Sequence, residues 1–305
     1  MTRIALYLVL TALLLASCNS RLSTPMVGVT HEQLPFPIGE KIESSAFTGD
    51  AFINPMIVSD TVFHFPQTNS LTFSPGAHSN WHRHGGMVVL VTGGVGLYQE
   101  EGKAAQILRT GDVLEIPAGV RHWHGATKDN WFSQIVIYDA AWQSDISYSD
   151  EDDSVSDMYY NELNTTEFPH PFKTEDVMFA VPDSMQIFDT FSGPIRVSDI
   201  LGDVNVANAA SLHYVVFEPG VINAWHTHPD GQILIVTEGI GYHQMEGLPV
   251  EVLYPGDVAI CPKGVRHWHG ASLNSRFAHL SVNTDPNVEW YEMISNEDYN
   301  KLPKE

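Results

Sequence analysis

The sequence is poor in positive charge and almost free of cysteine. Only 15 of its 305 residues are lysine or arginine, against 37 aspartate and glutamate residues, which gives a formal net charge of −22. A surface this acidic repels phosphates, so the composition argues against nucleic acid as a partner. The two cysteines are Cys18 and Cys261. They cannot build a disulfide framework, and Cys261, which precedes a proline, is expected to be a buried thiol.

The chain also lacks an apolar run long enough for an ordinary membrane-spanning helix. Its first residues resemble a bacterial lipoprotein signal peptide, with Arg3 before the apolar run Ile4–Leu15 and a lipobox-like Leu15-Ala16-Ser17-Cys18. We therefore expect residues 1–18 to be a signal peptide and Cys18 to be lipidated. The residue after Cys18 is Asn19 and not the aspartate that retains a lipoprotein in the inner membrane. The expected location is therefore the cell envelope, on a Gram-negative outer membrane facing the periplasm. The alternative is an ordinary signal peptide cleaved nearby.

Helical patterns are scarce, and short apolar runs dominate. Only Ser156–Leu163 and Ser295–Leu302 open with residues that favour a helix N-cap. The apolar runs are rich in valine and isoleucine and are bounded by Pro, Gly, Asn or Asp: Met87–Thr92, Val113–Ile116, Phe132–Tyr138, Leu212–Phe217, Ile233–Thr237, Val258–Cys261 and Phe277–Val282. Many short strands with few crossover helices predict an all-β antiparallel sandwich or barrel.

Histidine is concentrated in four His-x-His pairs, which hold eight of the fifteen histidines: His82/His84, His122/His124, His226/His228 and His267/His269. Residues i and i+2 of a strand point to the same face, and neutral imidazole is the commonest metal ligand among side chains. The pairs therefore indicate a metal site built twice on β-structure. The alternative is that the histidines lie on an exposed strand face without binding metal. The sequence favours this alternative less in the second copy than in the first.

A glycine and proline frame repeats around both sets of histidines. The first copy reads Gly76-x5-His82-x-His84 and Gly111-Asp112-x4-Pro117-x-Gly119-x2-His122, and the second reads Gly220-x5-His226-x-His228 and Gly256-Asp257-x4-Pro262-x-Gly264-x2-His267. The offset from Gly76 to Gly220 is 144 residues and from His122 to His267 it is 145, so the first copy lacks one residue after His84. The repeat predicts a duplicated domain. The expected limits are a tether over 19–43, domain 1 over 44–163, a linker over 164–185 and domain 2, with a C-terminal helix, over 186–305.

This frame resembles the cupin motifs, G-x5-H-x-H-x3-E-x6-G and G-x5-P-x-G-x2-H, and the chain is identified as a bicupin over about 44–163 and 186–302. The resemblance implies two tandem jelly-roll barrels with short terminal helices and a metal inside a barrel mouth. In the second copy it implies the ligands His226, His228, Gln232 and His267, with Gln232 where the motif has glutamate. This neutral set suits a divalent transition metal, with manganese expected first and iron, zinc, nickel and cobalt as alternatives.

The first copy keeps His82, His84 and His122, but the deletion brings Met87 to the place of Gln232. A thioether is a poor ligand for a hard divalent ion. We therefore treat these three histidines as a possible second metal site and expect the main site in the second copy.

Several polar residues are expected around the main site. His269 shares a strand face with His267 and is the first candidate for a general base or proton shuttle, the alternative being that it orients a ligand by hydrogen bonding. Strand alternation adds His213, a second catalytic candidate, and the pocket residues His279, Ser281 and Asn283.

Within the cupins, the second copy is similar to manganese-dependent hydroxynitrile-lyase-like cupins, which also occur with carboxymuconolactone-decarboxylase-like proteins. The shared run is Phe217-Glu218-Pro219-Gly220, Ala224-Trp225-His226-Thr227-His228-Pro229, Gly231-Gln232 and His267-Trp268-His269-Gly270-Ala271. The resemblance implies His269 as the catalytic histidine. The expected function is a metal-dependent lyase acting on a small oxygenated molecule. The alternatives are an iron- or manganese-dependent dioxygenase and a non-catalytic module that binds a sugar or small acid. The sequence predicts no oligomeric state, although the two barrels could pack on each other as a pseudo-dimer.

Overall fold

The computed structural model describes residues 29–58, 65–139, 153–169, 177–201, 207, 209–299 and 301–302. The predicted signal peptide, Cys18 and the first part of the predicted tether lie outside these ranges. No helix within them is long and apolar enough to cross a membrane. A 3-10 helix at His31–Gln33 comes first along the described chain.

The first barrel, called barrel 1, contains eleven strands and one helix: β1 (Glu40–Lys41), β2 (Phe47–Thr48), β3 (Ala51–Ile57), β4 (Thr68–Phe73), β5 (His78–Ser79), β6 (Met87–Glu100), β7 (Ala105–Arg109), β8 (Val113–Ile116), β9 (His122–Ala126), β10 (Phe132–Tyr138), α1 (Asp157–Asn161) and β11 (Thr165–Glu167). The strand orders are β1-β3-β4-β10-β6-β8 and β2-β5-β9-β6-β7-β11, and β6 belongs to both. Every pairing is antiparallel except that of β7 with β11.

The second barrel, barrel 2, repeats this plan with ten strands and one helix: β12 (Ile195–Asp199), β13 (Ser211–Phe217), β14 (His226–Thr227), β15 (Gln232–Gly239), β16 (Gly241–Met245), β17 (Glu251–Leu253), β18 (Val258–Cys261), β19 (His267–Ala271), β20 (Phe277–Asn283), β21 (Glu289–Trp290) and α2 (Asn296–Tyr299). Its sheets have the orders β12-β13-β20-β15-β18 and β17-β16-β19-β14-β21. The prediction of an all-β chain with two tandem barrels and short helices is confirmed.

Glycine allows the chain to pass from one sheet to the other at the same place in both barrels. Gly94 and Gly239 have φ of 75° and 73°, a left-handed conformation that favours glycine. A Cβ atom at Gly94 would lie 1.8 Å from the Trp131 carbonyl oxygen, and one at Gly239 would lie 1.7 Å from that of Arg276. In barrel 1 the strand continues through this bend, so the predicted strand Met87–Thr92 is the first half of a longer one. In barrel 2 the bend separates β15 from β16.

The two short helices begin where their caps predict. The hydroxyl of Ser156 accepts a hydrogen bond from the Tyr159 amide, and that of Ser295 accepts one from the Asp298 amide. Both helices are shorter than the predicted segments, and the residues that follow pack on the barrel wall. Leu302 packs there with Trp268. The helices therefore cover the outside of each barrel and do not build its interior.

The two barrels share a hydrophobic core. Along β6, Met87, Val89 and Val91 face the interior of barrel 1, whereas Val88 and Leu90 face outward. The outward residues pack in one cluster with residues of barrel 2, among them Leu212, Tyr214, Ile233 and Leu280. Because these strands are buried on both faces, they have continuous apolar runs and not an alternating pattern.

The described parts of the predicted tether and linker belong to this folded body. Phe36 is buried in the shared core, and β1 pairs with β3, so residues 29–43 pack on the barrels. Val177 and Phe179, within the predicted linker, are buried in the same cluster. β11, also in that segment, extends a barrel 1 sheet. The domain limits themselves stay a prediction.

Candidate metal centre

The histidines of barrel 2 converge because their strands are neighbours. β14 pairs with β19 so that His226 lies opposite His267, and the two ring centroids are 4.1 Å apart. The His228 ring lies 5.3 Å from that of His226 and 5.8 Å from that of His267. Gln232, at the start of β15, places its Oε1 atom 2.9 Å from Nε2 of His267. All four side chains are buried. The predicted ligand residues therefore come together from three separate strands and, for His228, from the segment that follows β14.

Backbone carbonyls orient the rings. Nδ1 of His226 lies 2.9 Å from the Ala224 carbonyl oxygen, and Nδ1 of His267 lies 3.1 Å from that of Val265. A carbonyl oxygen only accepts hydrogen bonds, so these contacts place the proton on Nδ1 and leave the Nε2 lone pair directed into the cluster. This is the usual way in which a protein fixes the tautomer of a metal-binding histidine.

The contact between His267 and Gln232 is one that a cation would stabilise. Nδ1 of His267 faces a carbonyl oxygen and its Nε2 faces the Gln232 oxygen. A neutral imidazole carries one proton, so only one of these contacts can be a hydrogen bond and the other joins two acceptors. Nε2 of Gln232 donates to the Ser281 hydroxyl at 2.8 Å, with Oε1 of the same amide directed at His267. A cation bound by His267 and Gln232 removes the conflict, so the donor set fits a divalent metal.

Burial keeps these rings neutral. It lowers the pKa of His226 and of His228 to about 4, with neighbouring histidines adding a smaller effect for His226. Burial, together with the smaller effect of the positive charge that His226 would carry, lowers the pKa of His267 to about 2. Near neutral pH the imidazoles are therefore available as ligands without first losing a proton. Because no ligand is anionic, a bound divalent ion would keep its full charge.

His269 is held by a residue that the sequence reasoning missed. The Oδ1 atom of Asn223 accepts a hydrogen bond from the His269 backbone amide at 2.8 Å, which fixes the orientation of the Asn223 side chain. Its Nδ2 then donates to Nε2 of His269 at 3.0 Å. The proton of neutral His269 is consequently on Nδ1, a buried atom without a hydrogen-bond partner in the described part of the chain. His226, His267 and His269 also form a group whose possible ligand atoms lie within 4.8 Å of one another.

A cavity of about 270 Å³ opens beside these histidines. The residues predicted from strand alternation, His213, His279, Ser281 and Asn283, all line it. The rest of its wall is mainly apolar: Phe191, Val197, Val215, Phe217, Pro286, Val288 and Trp290. Among the described lining residues none is Lys, Arg, Asp or Glu. The cavity therefore combines a cluster of neutral polar groups with an apolar wall, and suits a small neutral ligand.

The structure adds one buried histidine that the motifs do not include. His243 lies opposite His269 on β16, and its ring centroid is 5.8 Å from that of His267. Its Nδ1 is 2.9 Å from a carboxylate oxygen of Glu251, a residue that is 55% exposed. Only the pairing of β16 with β19 brings His243 to the cluster, so no spacing in the sequence could have indicated it.

The cluster of barrel 1 brings together the three corresponding histidines with a different fourth residue. The ring centroids of His82 and His122 are 4.3 Å apart, and those of His84 and His122 are 4.8 Å apart. These three histidines also form a possible metal-binding group. Met87, fully buried, takes the place that Gln232 has in barrel 2.

The residues around the barrel 1 cluster differ as well. By strand pairing, Asn69, Gln134, Val136 and Tyr138 correspond to His213, His279, Ser281 and Asn283. Nδ1 of His124 lies 3.0 Å from the Gln134 amide nitrogen, so this ring is hydrogen bonded at the opposite nitrogen from His269. The two sites therefore do not offer the same chemistry.

Two jelly-roll barrels with a histidine cluster in each define a bicupin, and this chain belongs to the cupin family. The family model described as Cupin domain matches residues 69–138 and 213–282. An (R)-mandelonitrile lyase from Granulicella tundricola is 40% identical over 116 residues, which are 37% of this chain and 88% of that protein. A germin-like protein of Arabidopsis thaliana is 43% identical over 61 residues, 17% of this chain and 28% of that protein.

Solved structures with both barrels include oxalate decarboxylases. A mutant of the Bacillus subtilis enzyme matches with a TM-score of 0.53 and 13% identity, over 88% of this chain and 85% of that chain. A formate complex of the Lactobacillus farciminis enzyme matches with a TM-score of 0.52 and 13% identity, over 87% and 94% of the two chains. At this identity the likeness concerns the two-barrel fold alone.

Proposed function

We propose that this protein is a metal-dependent lyase whose main site is in barrel 2 and whose substrate is a small, neutral, oxygenated molecule. The observation that carries the proposal is the opposed pair of acceptors at His267 and Gln232, placed beside a cavity with an apolar wall. The mandelonitrile lyase relative supports the reaction class. Manganese is the metal that we expect first, with iron, zinc, nickel and cobalt as alternatives.

His226, His228, Gln232 and His267 would hold the metal. When bound there, a divalent ion supplies Lewis-acid stabilisation of negative charge developing on an oxygen or on a leaving group. The Nδ1–H group of His269 is placed to donate a hydrogen bond to the substrate, because Asn223 occupies its other nitrogen. This role differs from the general base expected from the sequence.

His213 is the group that we assign to proton exchange with solvent. Of the histidines that line the cavity it is the least buried, and its Nδ1 atom lies 3.3 Å from the Ser211 hydroxyl. Ser281 and Asn283 support the Gln232 side chain. The Ser281 hydroxyl accepts a hydrogen bond from the Gln232 amide, and Asn283 donates a second hydrogen bond, of 2.9 Å, to the same hydroxyl.

The charge of the cavity separates this proposal from oxalate decarboxylation. No lysine or arginine is among its described lining residues, so the protein wall provides no countercharge for a dicarboxylate. A neutral cyanohydrin needs none. In mandelonitrile cleavage the C–CN bond breaks, the electron pair leaves with cyanide, and the hydroxyl proton is transferred so that benzaldehyde and hydrogen cyanide result.

The test is to load the purified full chain with Mn²⁺ and to follow benzaldehyde release from mandelonitrile, with oxalate as the comparison substrate. We expect His226→Ala to abolish release and to remove about one equivalent of metal per chain. Met87→Ala, the matched control in barrel 1, should leave metal content nearly unchanged. Equal metal loss in the two variants would contradict the ligand assignment.

Two further measurements on the same protein separate the competing functions. Oxygen consumption that requires iron or manganese, without activity in the zinc protein, would favour a dioxygenase. Binding of a sugar or small acid without turnover, retained in His269→Ala, would favour a non-catalytic module.

We further propose that the protein is anchored in the cell envelope by a lipid on Cys18. The lipobox-like segment before Cys18 supports this proposal. In a Gram-negative host, the wild-type chain should partition into detergent after Triton X-114 phase separation. The Cys18→Ser variant should not become lipidated and should therefore remain in the aqueous phase. Identical partitioning of both into the aqueous phase would contradict the anchor.

A further inference from the structure

The wall of the barrel 2 cavity is completed by a segment outside the matched cupin domain. That domain match ends at residue 282, and residues 285–290 follow it. Pro286, Val288 and Trp290 line the cavity, whereas Asn287 and Glu289 line an outer pocket, to which Val288 also contributes. This alternation is that of an extended strand. The end of the segment, β21, pairs with β14 so that Trp290 lies directly opposite His226.

The Trp290 ring lies between His226, a candidate metal ligand, and the aromatic part of the cavity wall. Its ring centroid lies 4.7 Å from that of His226, with 38° between the ring planes. It lies 5.8 Å from the ring of Phe191, which in turn lies 5.7 Å from that of Phe217. Trp290 is 37% exposed and Phe217 is fully buried, so the three aromatic residues extend from the surface to the inner wall of the cavity.

We propose that Trp290 is a specificity-determining residue, whose indole packs against the apolar group of the substrate while the substrate oxygen faces the histidines. This inference rests on the proposed function and adds the substrate class: neutral alcohols or cyanohydrins with an aromatic group. The physical reason is the position of the aromatic wall, because the rings of Trp290 and Phe191 adjoin each other and Trp290 lies directly beside His226. A planar apolar group can therefore pack against the indole while the substrate oxygen reaches the neighbouring histidines.

A purely structural role for Trp290, as a cover for His226, makes a different prediction. Loss of a cover would disturb the histidine cluster and weaken all ligands equally. Loss of a specificity wall would weaken aromatic ligands and spare small ones. Trp225 provides a matched control, since it directly precedes His226 but packs on the outer face of the barrel, 6.5 Å from Trp268 and beneath Arg266.

The experiment measures binding of benzyl alcohol and of ethanol to the full chain by ligand-observed NMR, with metal content determined in parallel. Trp290→Ala should weaken benzyl alcohol about fivefold to tenfold and ethanol less than about twofold, and Trp290→Phe should restore most of the loss. Trp225→Ala, or Trp225→Phe if the alanine variant fails to fold, should leave both affinities unchanged. Equal weakening of both alcohols by Trp290→Ala, or no weakening of either, would overturn the proposal.

Kinetics separate this proposal from the proposed function. With Mn²⁺ bound, Trp290→Ala should lower kcat/KM for mandelonitrile more than for acetone cyanohydrin. If no cyanohydrin is cleaved by the wild-type protein but the alcohol selectivity still depends on Trp290, the lyase proposal fails and the specificity assignment stands. If cleavage occurs and the ratio of kcat/KM values does not change in the variant, the specificity assignment fails and the lyase proposal stands.

Discussion

At the scale of single residues, the two barrels differ most clearly at the position of Gln232 and Met87. Three buried histidines converge in each barrel, but at this position only barrel 2 has an oxygen donor, on the Gln232 amide that is hydrogen bonded to Ser281. In barrel 1 the corresponding positions hold Met87 and Val136, neither of which offers a hard donor atom. The chemistry of two side chains therefore accounts for the expectation that barrel 2 carries the main site.

Exchanging this residue should transfer metal affinity. Met87→Gln should tighten Mn²⁺ binding by the barrel 1 histidines, and adding Val136→Ser should tighten it further, together on the order of tenfold, because the hydroxyl orients the new amide. Without metal, the buried amide should lower the free energy of unfolding by about 1–3 kcal/mol. Competition with a fluorescent chelator and urea unfolding measure the two effects. Gln232→Met is the reciprocal variant, and an unchanged Mn²⁺ affinity of barrel 2 in it would contradict the assignment.

The depressed histidine pKa values predict acid sensitivity of the metal-free protein. The pKa of His226 falls from 6.5 to about 4 on folding, and that of His267 to about 2. Protons therefore bind preferentially to the unfolded chain, and stability that is complete above about pH 6.5 is lost as pH falls towards 4. Each such histidine contributes up to about 1.4 kcal/mol per pH unit. Urea unfolding between pH 7.5 and 5 measures the slope.

The matched variant for this pH dependence is His226→Gln, which should have a shallower slope over the same range. The exposed carboxylates with lowered pKa, such as Glu292, start from a value of 4.5 and so affect stability only at lower pH. A slope identical to that of the wild-type protein would show that His226 does not bind more protons in the unfolded chain.

At the scale of elements, each barrel depends on a bend at which the chain leaves one sheet and enters the other. Gly94 and Gly239 permit this bend because the chain there has positive φ and a carbonyl oxygen occupies the place of a side chain. The bend joins the sheet that holds Gln232 to the sheet that holds His226 and His267, so these side chains can meet. The bend is therefore required for the histidine site as well as for the barrel fold.

Two glycine variants in barrel 2 separate conformational strain from steric clash. Gly239→Ala should destabilise the protein by at least about 3 kcal/mol, because its new methyl group would overlap the Arg276 carbonyl oxygen. Gly247 has a similar φ of 78° but nothing within 4 Å of the position of a Cβ atom, so Gly247→Ala should cost only about 1–2 kcal/mol. The urea midpoints at constant m-value measure both effects. Equal losses would contradict the steric explanation.

At the scale of the whole molecule, the barrels are joined by a core that neither could bury alone. Leu90 and Ile137 of barrel 1 and Tyr214 and Leu280 of barrel 2 are fully buried in the same cluster. Phe36, from the segment before barrel 1, is buried there too. The shared core is the arrangement expected of a pseudo-dimer, with the duplicated domains covering each other's apolar face.

Calorimetry should therefore show one unfolding transition for the metal-free protein. Leu280→Ala should cost about 2–5 kcal/mol and move the whole transition to lower temperature, since removing a side chain from the shared core weakens both barrels together. Leu234→Ala, inside barrel 2, is the comparison variant. Two transitions, of which only one moves in Leu280→Ala, would show that the barrels unfold independently.

The sequence by itself determined the features that have a local cause. The duplication, the strands and the pairing of histidines two residues apart follow from spacing, since alternation along a strand decides which residues share a face. The same alternation placed His213, His279 and Ser281 at one cavity.

Only the tertiary structure decided the features that depend on strand register and on packing between distant segments. It brought Asn223 to His269 and so assigned the proton of that ring. It brought His243 to the cluster and Trp290 over His226. It also showed that strands with continuous apolar runs are covered on both faces, because the partner of the second face is the other barrel. These contacts join residues that no fixed spacing relates, so only the folded chain brings them together.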